Sequence, residues 1–557
     1  MMIKTLWTLP ILTIGMASAA AAQTTSPGGP PQMSSGPLII DQQRSDRQPV
    51  QAPVTPPPPP QQRGNVASQL GAMSSHAALK RVRIEGSTAP LSVLERAASA
   101  YVGRPLDSAT INAVATAVSE AYGHGDVALY TIVVPNQQLT SGVLTLRVVE
   151  GYIADIVVTG DVKDRDLSLV KAYLARLGAE RPLTRPTLER YLSLIRDIPG
   201  LKADIQLLNL ETPGAVRLVL TLSHNDFDPR LAVNNRGTAN LGRTQLQGNL
   251  NFNSLFRQGD QTQLSVTLPT DIDRFQYYAL SHSTPIGGDG MRIGANIGYL
   301  RTRPEGYGYT IRGKAKSAGV NLSYPLKRSY KSNIYVSLGL DGLDSDNAAF
   351  GQLIASDHSR AVRAAASWSQ SLPRQFASAA LTLSKGLDIL DASSDPRRTD
   401  LQFLKLNGQL GFNQMIGKSL AIRLNGSGQY SDDLLPGSEQ FALGGDVIGR
   451  GFTSAYVVGD YGYGGSAELA WTTAPWPGLL KGSELYGFID GGTLWTRARY
   501  AGLLPRQKYS LASAGGGMRL NLAGKMVVGL EAAKPIKRPY PFTSDHIRYT
   551  ISWRTIY

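Results

Sequence analysis

Apolar and polar positions along the chain fall into two helix-containing units followed by one long strand-forming region. From about Leu79 an apolar strand ends at Glu85-Gly86. Helical periodicity then covers Leu91 to Tyr101 and Leu106 to Tyr122, and strands follow near Val127 to Val134 and Val143 to Val149. The order returns from Tyr152, with a strand through Ile156-Val157-Val158, helices around Leu167 to Leu177 and Thr187 to Ile195, and strands near Ile205 to Leu210 and Val216 to Leu222. Two successive β-α-α-β-β units of about 75 residues predict a tandem module rather than one large enzyme domain.

After Asp228 the period changes to two and stays so to the C-terminus. In the last segment Ile547, Tyr549, Ile551, Trp553 and Tyr557 share one face, and His546, Arg548, Thr550, Ser552 and Arg554 share the other. Leu246, Leu250 and Phe252 alternate with Gln245, Gln247, Asn249 and Asn251, and Leu404, Leu406, Leu410 and Phe412 with Lys405, Asn407 and Gln409. Candidate strands begin near residues 230, 244, 261, 274, 290, 314, 332, 360, 376, 400, 418, 464, 483, 510, 526 and 546, an even number that permits antiparallel closure. Connections after even-numbered strands are mostly short, as at Gly287-Gly288-Asp289-Gly290, Pro373-Arg374 and Ala523-Gly524. Odd-numbered ones read as longer, above all about 343–359 and 431–463. Such parity predicts a barrel with lipid outside and water inside. The rival is a soluble β-sandwich, whose apolar faces would meet a second sheet. Aromatic residues on the apolar faces favour the barrel.

The N-terminus supports that choice. Lys4, an apolar stretch from Leu6 to Met16 and Ala20-Ala21-Ala22 before Gln23 read as a signal peptide over 1–22. No later run is long and apolar enough for a helical span. Residues 23–77, rich in Pro, Gln, Ser and Gly, read as an extended linker; Leu38-Ile39-Ile40 and the polar residues after it are either a docking helix or more linker. The 557 residues contain no cysteine, which excludes a disulfide scaffold and thiolate chemistry in an exported chain. Net charge is +14, and for an exported chain this basic balance points to anionic lipid and polypeptide partners, with no nucleic acid expected.

Catalytic chemistry finds no support. His76, His124, His224, His282, His358 and His546 are scattered without metal-ligand spacing, so neither a metal nor a cofactor is expected. Gly411 to Ser419 has five residues between its glycines where a phosphate loop needs four, and it joins two strands. Asp432-Asp433 reads as a solvated loop. The informative stretch is Leu434 to Leu469, dense in glycine, in which Arg450 stands between Gly449 and Gly451 and before Phe452. Phe488, Asp490 and Gly492 share one face of a later strand, pointing inward if Leu485 and Ile489 face lipid. An Arg450–Asp490 pair would latch the loop inside the barrel; alternatively Arg450 is an exposed loop charge and Asp490 a solvated lumen residue.

These residues also carry a resemblance. Arg450-Gly451-Phe452 is similar to the loop-tip motif, and Phe488-x-Asp490-x-Gly492 to the facing barrel-wall motif, of the two-partner secretion transporters of the haemolysin secretion and activation family. That family belongs to the superfamily of POTRA-plus-barrel proteins. Val82 to Gly86, Tyr122 to Gly125, Val134-Pro135-Asn136-Gln137 and Val149-Glu150-Gly151 resemble its first POTRA domain, and a second begins at the Ile156 strand. Ile448-Gly449 stands where the family usually has Val directly before the arginine. The terminal Tyr557, in place of the commoner Phe, is the expected barrel-assembly signal.

The resemblance implies POTRA 1 over 78–150, POTRA 2 over 151–226 and a sixteen-stranded antiparallel transmembrane β-barrel over 227–557, with a loop folded inward at about 431–463. It implies a Gram-negative outer-membrane protein with periplasmic POTRA domains that passes an unfolded partner exoprotein to the cell surface or medium without nucleotide. Outer-membrane lipids and, during biogenesis, the barrel-assembly machinery are the other partners it implies. Rival functions are an assembly factor for other outer-membrane proteins and a plain diffusion pore. In the family an N-terminal helix often plugs the pore, and Leu38 to Arg47 is the segment to compare.

Overall fold

The computed structural model describes residues 65–68, 77–161, 167–306, 309–350, 352–472, 480 and 482–556. The predicted signal peptide, the segment Leu38 to Arg47 and Tyr557 lie outside them.

In the first unit β1 (Asn65–Ser68), β2 (Arg81–Glu85), α1 (Leu91–Ser99), α2 (Ser108–Gly123), β3 (Tyr130–Val134) and β4 (Val143–Glu150) form a sheet of order β1-β3-β4-β2 under two helices. Asp107 starts α2 by accepting the Thr110 N–H at 2.7 Å. Ile111, Val114, Ala115 and Val118 of α2 pack on Ile132, Leu144 and Leu146, the inward positions of β3 and β4. One correction belongs here. Residues 65–68, read as linker, pair parallel to β3 and extend the sheet, because the backbone of an edge strand accepts any extended chain whatever its side chains.

The second unit repeats the order with β5 (Tyr152–Asp161), α3 (Ser168–Ala179), α4 (Arg185–Arg196), β6 (Leu201–Asn209) and β7 (Ala215–His224), in the sheet order β5-β7-β6. Only Gly151 separates the two sheets. The seam is hydrogen-bonded: Gly151 N–H donates to the Leu129 carbonyl at 2.7 Å, Leu183 N–H to Gly151 at 2.9 Å, and the Arg185 guanidinium to Gly123 at 2.6 Å.

The remaining chain is β8 (Phe227–Asn234), β9 (Gln245–Asn253), β10 (Gln261–Pro269), β11 (Phe275–Ile286), β12 (Met291–Thr302), β13 (Ile311–Lys327), β14 (Ser332–Ala349), β15 (Gln352–Leu372), β16 (Gln375–Gly386), β17 (Leu404–Ile416), β18 (Leu420–Ser431), the short β19 (Phe441–Leu443) and β20 (Val457–Gly459), then β21 (Tyr461–Thr472), β22 (Glu484–Thr496), β23 (Gln507–Leu522), β24 (Met526–Lys537) and β25 (Arg548–Thr555). All but β19 and β20 join in one closed antiparallel barrel of sixteen strands, sealed where β25 pairs β8 through Ser552↔Asn234, Trp553↔Val233 and Arg554↔Ala232. Apolar side chains cover its outside, as at Leu410 (66% exposed), Ile551 (53%) and Ile489 (55%), which is the inverse of a soluble sandwich.

The expected long loop at about 343–359 is absent. β14 and β15, of 18 and 21 residues, run through it and remain paired as far as Ala349↔Gln352. About 9–11 residues cross a bilayer, so the surplus projects as a hairpin beyond the membrane. Loss of apolar alternation did not end these strands, since an antiparallel ladder keeps its main-chain bonds whatever side chains it carries, here from Leu343↔Ser359 to Ala349↔Gln352.

The periplasmic turns seat the second unit. Arg190 of α4 donates to Asp289 Oδ1 at 3.0 Å and to the Pro325 carbonyl at 2.8 Å, while Arg328 grips Asp197 through two bonds of 2.7 Å. Gln258 accepts the Leu169 and Val170 N–H groups at the start of α3.

Candidate functional site: a loop held inside the barrel

The connection from β18 to β21, residues 432–460, turns into the lumen, where β19 and β20 pair through Phe441↔Gly459 and Leu443↔Val457. Phe441, Leu443, Phe452 and Val457 pack on Leu494 and Leu511 of the barrel wall, so an apolar core fixes the loop within a polar lumen. Gly492 makes the approach possible. A Cβ there would lie 2.6 Å from the Tyr463 carbonyl and 2.8 Å from Leu443.

At the tip, the structure brings together the residues singled out in both motifs, with a division of labour that differs from the simple pair. The Asp490 carboxylate accepts the Gly449 N–H at 2.8 Å, the Arg450 N–H at 3.1 Å and the Ser513 hydroxyl at 2.6 Å. Ser513 in turn accepts the Gly451 N–H at 3.0 Å. Asp490 therefore holds the backbone of the tip. The Arg450 Nε stands 4.0 Å from Asp490 and makes no hydrogen bond, because that carboxylate is already occupied. The guanidinium instead reaches Glu468 at 2.9 Å and Glu531 at 3.4 Å and lies over the Phe488 ring at 4.2 Å. Gly449 has φ +82°, a conformation glycine adopts without strain. The Phe452 ring is buried and its carbonyl accepts from Arg548.

Sequence reasoning missed the carboxylates that take the guanidinium. Glu468 is shared with Arg423 at 2.8 Å and Arg519 at 2.8 Å, and Glu531 with Arg236 at 2.8 Å and the Tyr486 hydroxyl at 2.9 Å. Each sits at an inward position of its strand, opposite Phe488 in the case of Glu468, and this parity was the available signal. A second anchor was missed too. Glu439, fully buried, is clasped by Arg363 at 2.7 Å and Lys405 at 2.7 Å, and Asp460 takes Arg499 at 2.7 Å and the Leu435 N–H at 3.0 Å. Beside the tip a cavity of about 530 Å³ remains, lined by Tyr335, Ser367, Asn413, Arg423, Asp446 and Ile448 among others.

A closed lipid-facing barrel, two α/β modules in tandem with the second seated on its periplasmic turns, and a loop fastened in its lumen define a POTRA-barrel transporter of the outer membrane. The chain belongs to the family described as haemolysin secretion/activation protein ShlB/FhaC/HecB, whose model matches residues 214–520; the ShlB-type POTRA domain matches residues 77–151. Among curated relatives, the heme/hemopexin transporter protein HuxB of Haemophilus influenzae is 21% identical over 450 residues, covering 78% of this chain and 79% of that protein. The outer membrane transporter CdiB of Escherichia coli is 24% identical over 505 residues, covering 86% and 81%. Among solved structures, CdiB from Escherichia coli matches with a TM-score of 0.71 at 20% identity over 93% of this chain and 98% of that one. CdiB from Acinetobacter baumannii gives 0.61 at 18%, over 93% and 96%. The protein is thus an outer-membrane transporter of two-partner secretion, with its POTRA domains in the periplasm.

Proposed function

We propose that the protein receives one large exoprotein in unfolded form and passes it through the barrel after the 432–460 loop releases its tip. The carrying observation is the loop itself: beside its apolar packing, the bonds that hold its tip are polar, so that water or a passing chain can replace each of them at modest net cost. The module sheet ending on β6 supports recognition of an unfolded client, since an extended chain adds to a sheet edge by main-chain bonds with little sequence demand. Folding of the client outside the cell would draw it forward without nucleotide. The protein does no covalent chemistry in this scheme; outer-membrane lipids surround it and the barrel-assembly machinery inserts it, with Tyr557 as the signal. Arg450, Gly451 and Phe452 form the latch, and Phe488, Asp490 and Gly492 its seat.

The test compares released and surface-bound proteins from cells with the protein, without it, and with Arg450→Ala, while quantifying other outer-membrane barrels. Loss of a single large exoprotein without the protein, and a reduced amount with Arg450→Ala at an unchanged barrel level, are expected. Broad loss of other barrels with no single missing exoprotein would replace this reading by an assembly factor. Normal export by Arg450→Ala would reject the latch.

A further inference from the structure

The outer face of β12 and β13 breaks a rule that the rest of the barrel keeps. Arg301 and Lys314 are direct cross-strand partners, and among the described residues no other register pair of the barrel sets two cations opposite each other. Like charges so placed destabilise a sheet unless something offsets them. Lys316 and Arg312 continue the row at the next positions of the same face. All four side chains are exposed and, among the described residues, none forms a hydrogen bond or ion pair. The carboxylates across from the lysines are committed elsewhere: Asp344 binds Arg360 at 2.7 Å, and Asp346 accepts from Ser356 at 2.7 Å with His358 at 3.6 Å.

The height of this row is what gives it meaning. The alternate residues of β13, Gly313, Ala315 and Ser317, are buried inside the barrel, Ala315 against Leu300 and Leu343, so the cations point outward. Below them the same face carries Ala318, Val320, Leu322, Tyr324 and Leu326, and β12 carries Ile293, Ala295, Ile297 and Tyr299 below Arg301. Nine residues at about 3.3 Å each, tilted about 40°, cover about 23 Å, the height of a barrel's apolar band. The second unit docks at the 287–290 turn, which marks that end as periplasmic, so the cations stand where the band ends on the outer side, next to the girdle of Tyr278 and Tyr299.

We infer that the outer face of β12 and β13, centred on Arg301, Lys314 and Lys316 with Arg312 above, is a binding site for the phosphate groups of an outer-leaflet glycolipid, whose acyl chains lie along Ile297, Val320 and Leu322. The charge complementarity is direct: phosphate oxygens accept charge-assisted bonds from opposed cations and cancel their repulsion. The occupant is continuous with the lipid that already covers the lower part of this face. Arginine supplies a planar fork and the lysines compact point charges, a set suited to phosphate rather than to an uncharged sugar.

Native mass spectrometry of the full-length protein in detergent, titrated with bisphosphorylated lipid A or its dephosphorylated form, tests this. The wild type should retain the bisphosphorylated lipid at least ten-fold better than Arg301→Gln/Lys314→Gln/Lys316→Gln, and the dephosphorylated lipid no better than that variant does. Lys385→Gln/Lys508→Gln/Lys534→Gln, which removes three exposed lysines elsewhere on the barrel, should behave as wild type. Without glycolipid the triple variant should melt at or above the wild-type temperature, since repulsion is relieved; a structural role would lower it. Heat-modifiable mobility verifies folding, and Lys314→Gln alone gives a milder version. Equal retention by wild type and triple variant, an equal loss in the control, or complete displacement by inorganic phosphate would overturn the inference.

Discussion

At the scale of residues, the loop tip separates two kinds of attachment. Asp490 fixes the course of the backbone through the Gly449 and Arg450 amides, whereas the Arg450 guanidinium discharges its charge on Glu468 and Glu531. Removing one partner of a buried ionic contact typically costs about 3–5 kcal/mol. The cost here falls below that range, because Glu468 keeps Arg423 and Arg519 and Glu531 keeps Arg236. A double-mutant cycle on export should therefore find stronger coupling between Arg450→Ala and Glu468→Gln than between Arg450→Ala and Asp490→Ala. Equal or reversed coupling would contradict the division of labour.

At the scale of elements, the inward loop has a root and a tip of different character. The root is closed on buried ions, with Glu439 between Arg363 and Lys405 and Asp460 gripped by Arg499. A chain free of cysteine makes this testable by disulfide pairs. The Ser359 and Ser438 hydroxyls are 3.4 Å apart at the root, and a Cβ on Gly451 would lie 3.0 Å from the Ser513 Cβ at the tip. Gly451→Cys/Ser513→Cys should block export until reductant is added, while Ser359→Cys/Ser438→Cys should export normally. Blockage by the root pair would mean that the whole loop leaves the lumen.

At the scale of the whole molecule, the second unit and the barrel meet through charged side chains on short turns, which makes the joint sensitive to acid. Burial alone would raise the Asp289 carboxyl, but hydrogen bonds from Tyr324 and Arg190 outweigh it and hold the group below its usual 3.8. An acid held low in this way stabilises the joint fully at neutral pH and loses that contribution as pH falls below 3.8 through the folded-state value. Spin labels on introduced cysteines in α4 and in the 287–290 turn should give a narrow distance distribution at pH 7 that broadens below that point. Asp289→Asn should broaden it at both pH values, and an unchanged width in that variant would show that the joint does not depend on the carboxylate.

Much of this architecture was legible because its causes are local. Period-two alternation located barrel strands to within a few residues, as at 245, 261, 332 and 526, since lipid outside and water inside impose opposite demands on successive side chains. Helical periodicity located α1 to α4 for the corresponding reason, one apolar stripe per helix facing one sheet. Arg450 and Asp490 stood out as charges flanked by glycine and aromatic residues, whereas the family resemblance was what set the two motifs face to face.

What depended on distant parts of the chain could not be read this way. Main-chain pairing carried β14 and β15 past the membrane and drew residues 65–68 onto β3, and backbone bonding leaves no mark in the choice of side chains. Closure of the barrel brought Glu468 and Glu531 to the same guanidinium and set Glu439 between Arg363 and Lys405. The sequence by itself thus determined which residues face lipid, lumen or module core, because solvent preference acts on each side chain separately. Only the tertiary structure decided which buried charges meet, because partners many residues apart are chosen by strand register and by the space that the closed barrel leaves.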